Sequence, residues 1–112
     1  MGYYTNFTIE IKDAPCSPVT RYDLDLIAVR FKEVSHQSFY VEGSSLGLDE
    51  SKWYRHEEDL KRISLEYPSY LFTVYGEGED TEDLWVKYFL NGKMQSEKAE
   101  ITYKEFDASK LV

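Results

Sequence analysis

"SYLFTVYGEGEDTEDLWVKYFLNGKMQSEK", residues 69–98, decides the fold. "SYLFTVYGE" and "DLWVKYFL" are rich in aromatic and β-branched residues, so each reads as a strand. "NG" at 91–92 is the strongest hairpin signal in the chain. It predicts a type I′ turn, because both central residues of that turn need positive φ. A third strand then runs through "KMQSEKAEITYKEF", residues 93–106. A two-residue turn fixes the register: Leu90 meets Lys93, Phe89 meets Met94 and Trp85 meets Lys98.

Towards the N-terminus, "KWYRHEEDLKRISLEYP" predicts a helix. Its acids Glu57, Glu58 and Asp59 fall in the first turn and its bases Lys61 and Arg62 later, as the helix dipole prefers. Tyr67 and Pro68 end it. The apolar face is Trp53 or His56, then Leu60, Ile63 and Tyr67. "GSSLGLDES" before it reads as a loop, and "SFYVE", residues 38–42, as a short strand. "SPVTRYDLDLIAVRFKEVS" predicts a second helix, with Leu24, Ile27, Ala28, Phe31 and Val34 at helical spacing. Ser17 before Pro18, or Thr20 with Asp23, can cap its start. "YYTNFTIEI", residues 3–11, alternates and reads as a strand. Tyr3, Thr5, Phe7, Ile9 and Ile11 form its core face.

The predicted order is β-α-β-α-β-β-β. It gives an α+β fold with a mostly antiparallel sheet and two helices on one face. A ferredoxin-like arrangement with an added strand fits that order best. With no repeat, linker or low-complexity segment, residues 1–112 read as one domain. The tail "DASKLV" is expected to be loosely held.

The 112 residues carry a formal net charge of −8. Five of those charges lie in "YGEGEDTEDLW", at Glu77, Glu79, Asp80, Glu82 and Asp83, so the acidity is local. A general basic field, which nucleic acid or an anionic membrane surface would need, is missing. Ten Tyr, six Phe and two Trp exceed what so small a core can hide. Exposed tyrosine is a good contact residue, large in area and polar at its tip. Cys16 stands alone, so no intrachain disulfide or multi-cysteine zinc site can form. The start "MGYYTNFTIEIK" lacks the basic and apolar regions of a signal peptide, and no apolar run approaches membrane-spanning length.

"KWYRHEED", "YP", "LFTVYGEGE" and "LWVKYFLNGK", within residues 52–95, together resemble small proteins encoded by tailed phages and prophages. "MGYYTN" resembles their usual start. The family has no established activity. The resemblance therefore implies a phage or prophage origin and a bacterial cytoplasm, and carries over no catalytic residue. Residues 13–51 do not contribute to it.

Each candidate site has a bland counterpart. The acidic stretch lacks the D-x-[DN]-x-[DN]-G spacing of a calcium loop, and alternation between two strands splays its carboxylates. A solvated hairpin connection explains it, or a surface for a basic partner. Gly76 and Gly78 suit a bulge or turn needing positive φ better than a phosphate loop, because a strand follows them instead of a helix. "RHEED" is not H-E-x-x-H, because residue 60 is Leu. Cys16 with His36 or His56 has no supporting motif, and no serine sits in a G-x-S-x-G elbow. Lys52, Trp53, Tyr54 and Arg55 interleave basic and aromatic residues, as nucleotide-gripping surfaces do. The pairs Glu57–Lys61 and Glu58–Arg62, spaced i, i+4, are expected to neutralise the helix that follows.

The expectation for function is a non-enzymatic interaction protein of phage or prophage origin. It would bind and modulate, and could inhibit, a bacterial host protein such as a defence factor. Glu77, Glu79, Asp80, Glu82 and Asp83 supply charge, and Tyr75, Trp85 and Tyr88 supply anchors. One alternative is a nucleotide-sequestering protein using Lys52, Trp53, Tyr54 and Arg55. A second is a divalent-metal hydrolase on the acidic stretch. No cofactor is expected, and the exposed third strand could pair with its copy to make a homodimer.

Overall fold

The computed structural model describes residues 3–13, 17–80 and 82–112, and the side chains of all of these except 17 and 18. Cys16 lies outside the described residues. The strands are β1 (Thr5–Asp13), β2 (Ser17–Pro18), β3 (Tyr40–Glu42), β4 (Ser45–Ser51), β5 (Tyr70–Gly78), β6 (Leu84–Leu90) and β7 (Lys93–Lys98). The helices are α1 (Arg21–Ser35) and α2 (His56–Glu66). Six strands run in the antiparallel order β3-β4-β1-β5-β6-β7, and the short β2 pairs with β1. The fold is α+β, with both helices against one face.

Alternation sorts the strands cleanly. Phe7, Ile9 and Ile11 of β1, Leu46 and Leu48 of β4, Phe72 and Val74 of β5 and Phe89 of β6 are buried on the inner face. They pack with Leu24, Ile27 and Phe31 of α1 and Leu60 and Ile63 of α2 in one apolar cluster. Fully burying a side chain such as Phe31 contributes roughly 1.5–3 kcal/mol relative to leaving it exposed. The helical spacings of the sequence thus land where they should. Thr20 is the N-cap of α1, its hydroxyl accepting from the Asp23 N–H at 3.2 Å. The hairpin register is as expected at Leu90–Lys93, Phe89–Met94 and Trp85–Lys98. Asn91 and Gly92 both have positive φ, 48° and 79°, as a type I′ turn requires.

Four expectations need correction. "GSSLGLDES" is not a loop: most of it forms β4, so two strands stand between the helices where one was expected. Gly47 hides the pattern by sitting between Leu46 and Leu48. It is glycine because the Tyr40 ring from β3 occupies the space a β-carbon would need. The third strand of the hairpin ends at Lys98 rather than Phe106. Gly76 and Gly78 do not have positive φ. They make room for Trp85, and for Asp83 with Tyr3, respectively. The pairs within α2 do not form as expected: Glu57 meets Lys87 of β6 at 2.8 Å, and Glu58 meets Arg55 at 2.7 Å.

Candidate functional site

The helices cover one face of the sheet and leave the other open. Register places Thr8 beside Tyr75, Tyr75 beside Val86, Thr73 beside Tyr88 and Glu77 beside Leu84 on this outer face. Tyr75 is exposed, while Leu84, Val86 and Tyr88 are half-buried. A shallow, mainly apolar depression of about 370 Å³ lies here, lined by Thr8, Tyr75, Leu84, Val86 and Ala99 among others. Glu77 of β5 and Lys98 of β7 line it, and Glu10 of β1 and Glu97 of β7, opposite Val86, stand on the same face by register. The surface is therefore apolar at its centre, with three carboxylates and one ammonium around it.

The eight residues singled out for partner binding do not form one patch. Glu77, Tyr75 and Tyr88 share the outer face. Glu79 accepts from the Tyr4 N–H at 2.7 Å. Asp83 Oδ2 accepts from the Tyr3 hydroxyl at 2.6 Å, and the Tyr3 hydroxyl oxygen in turn accepts from the Asp80 N–H at 3.1 Å. The Asp83 hydrogen bond pushes the Tyr3 phenol pKa up, so Tyr3 stays a donor. Part of the acidic stretch thus ties the chain entering β1 to the β5–β6 connection. Asp80 and Glu82 are exposed there. Among the described residues no group of three His, Cys, Asp or Glu side chains is placed to hold a metal ion.

Trp85 turns to the helix side. Its indole stacks on His56 at 5.2 Å and meets Phe7 edge-on at 5.9 Å. Beside it lies a polar chain that sequence reasoning missed. The Lys87 ammonium, on a side chain only 12 % exposed, meets Glu57 and stands 2.7 Å from His56 Nε2. His56 Nδ1 lies 2.9 Å from the Trp53 carbonyl. A carbonyl only accepts and an ammonium only donates, so His56 is neutral, with its proton on Nδ1. Burial pushes its pKa down, and the Lys87 charge pushes it further. The signal was present in "WVKYF": alternation puts Lys87 on the same face as Trp85 and Phe89, which is an unusual place for a lysine. With both ring nitrogens engaged, the group braces the start of α2 against β6.

The basic stretch is partly built. Trp53 is buried, and its indole N–H donates to Asp59 at 2.8 Å. Lys52 lies over the Tyr4 ring at 4.9 Å. Tyr54 accepts from the Tyr3 N–H at 2.8 Å. Lys52, Tyr54 and Arg55 join His36, Asp59 and Arg62 around a cleft of about 400 Å³. Among the described residues no helix is long and apolar enough to cross a membrane. No protein-family model, curated protein or solved structure matches the chain.

Proposed function

We propose that this chain is a non-enzymatic interaction protein that binds a basic surface of another protein through the outer face of its sheet. One observation carries the reading: a face without helices presents Tyr75, Leu84 and Val86 around an apolar depression, with Tyr88 on the same face, and Glu10, Glu77 and Glu97 outnumber the one lining cation, Lys98. Aromatic anchors inside a charged rim are what a protein interface needs, with the rim setting on-rate and salt dependence. The resemblance of residues 52–95 to phage and prophage proteins supports a host protein of the bacterial cytoplasm as the partner, with modulation or inhibition as the effect. Trp85 is not among the anchors in this reading, because it braces His56. We also infer a ferredoxin-like core. The run β1-α1-β3-β4-α2-β5 with spatial order β5-β1-β4-β3 supports it, and β6 and β7 extend it.

Affinity capture from bacterial lysate, with the native chain and the double variant Tyr75→Ala/Tyr88→Ala side by side, tests the proposal. A discrete partner held by the native chain, lost with the double variant and weakened by salt, is expected. Equal capture by both would sink the assignment of this face.

The cleft at His36, Lys52, Arg55 and Arg62 favours a second reading, in which an anionic nucleotide binds there. A nucleotide that binds only the folded chain would raise its melting temperature. A nucleotide panel that leaves the melting temperature unmoved would remove this reading.

A further inference from the structure

β7 is an edge strand whose sequence does not stop where its pairing stops. Ala99 donates to the Leu84 carbonyl at 2.9 Å, and Leu84 is the first residue of β6. Beyond that rung β6 offers no backbone. Yet "AEITYKEF", residues 99–106, keeps β-branched and aromatic residues and contains no Gly, Pro, Asn, Asp or Ser that would turn it back on its own sheet. Tyr103 is 90 % exposed and Phe106 80 %. Their large apolar areas are left in water by a segment built to be a strand.

We propose that residues 93–106 pair antiparallel with the same segment of a second copy, about a two-fold axis at Ala99. The register follows from charge. With Ala99 opposite Ala99, Lys93 stands opposite Glu105, Lys98 opposite Glu100, and Ser96 opposite Thr102. No like charges face each other. A slip of one residue in one direction sets Lys93 against Lys104 and Glu97 against Glu100. A slip the other way leaves no opposite-charge pair. The charges that would guard this edge against other pairings therefore admit this one. Isologous pairing of this kind is the commonest route to a closed dimer.

The same register gives the exposed side chains somewhere to go. Met94 is on the inner face, opposite Phe89, so Gln95 and Glu97 are on the outer face. Ile101 and Tyr103 of the second copy fall opposite Glu97 and Gln95. There they extend the apolar strip that runs through Val86 and Tyr88. Phe106 of the second copy falls opposite Gly92, over which Leu65 lies, itself 60 % exposed. The dimer makes one continuous sheet and covers side chains that a single copy leaves bare. It does not depend on the host partner proposed above.

Sedimentation equilibrium of the full chain tests this. The native chain is expected to dimerise with concentration. Lys93→Glu and Glu105→Lys should each weaken the dimer roughly tenfold, since each puts like charges together twice per dimer. The double variant should restore it. Lys93 and Glu105 are too far apart along an extended strand to meet within one copy, so rescue reports pairing between copies. Far-ultraviolet circular dichroism shows that each variant stays folded. A monomer at every concentration, whether its arm lies back on its own sheet or waits for a foreign strand, overturns the proposal. So does a dimer indifferent to the single changes, or one that the double variant fails to restore.

Discussion

A β-carbon on Gly76 would fall inside the indole of Trp85, and Trp85 cannot withdraw, because His56 stacks on it and Phe7 abuts it. Gly76→Ala should therefore cost roughly 1–3 kcal/mol as an overpacked core does, read from the midpoint of denaturant unfolding. An unchanged midpoint would mean that Trp85 is free to move. His56 gives a pH prediction whose sign is fixed. Its folded pKa lies below the ordinary 6.5, so on acidification the unfolded chain takes up the proton first. The stability it contributes is full above about pH 6.5 and falls as pH drops towards the folded value. Glu57, held low by the Lys87 hydrogen bond, acts in the same direction below its ordinary 4.5. Lys87→Met removes a charge that depresses the His56 pKa. The His56 ring should then titrate at higher pH by nuclear magnetic resonance, and stability should fall less steeply between pH 7 and 5. Stability at neutral pH should drop by about 1 kcal/mol or more, because hydrogen bonds to charged groups are lost. A His56 titration that does not move would contradict the contact.

At the scale of elements, patterns that are local in sequence were legible and those completed by a distant partner were not. The Asn91-Gly92 turn, the register it sets and the Thr20 cap each depend on residues within a few positions. β4 was hidden because its glycine and serines resemble loop chemistry, and only Tyr40 arriving from β3 explains Gly47. The α2 pairs were misread for the same reason: Lys87 comes from a strand 30 residues on from Glu57 and takes its carboxylate. The splitting of Tyr75 and Tyr88 from Trp85 was readable from alternation, whereas the ties from Glu79 and Asp83 to residues 3 and 4 were not. The turn itself gives a clean test. Gly92 combines a φ of 79° with a position under Leu65. Gly92→Ala should lower stability by more than about 1 kcal/mol, since alanine at positive φ is strained. Asn91→Gly keeps the turn type and should cost much less. Comparable losses in the two variants would show that the hairpin is not set by this turn.

The whole molecule is larger than its core. Its radius of gyration is 16.5 Å, against about 13 Å for a compact chain near this length. Residues 99–112 account for the difference in kind, because every one of them is exposed. Such an arm contributes little to folding, and it is where a protease should act first. Brief trypsin treatment should cut after Lys104 and Lys110 before Lys87 of β6 or Lys61 and Arg62 of α2. The remaining domain should keep its unfolding midpoint to within roughly 0.5 kcal/mol, as changes at exposed positions do. Early cuts inside the sheet, or a large loss of stability after the arm is removed, would show that the arm is part of the core. The two sites also differ in a useful way. In the pairing centred on Ala99, Lys104 lies beside Met94 of the second copy, while Lys110 lies outside the paired segment. Raising the protein concentration should therefore slow cleavage at Lys104 relative to Lys110, and Lys93→Glu should abolish that difference. A ratio independent of concentration would leave the arm free in solution.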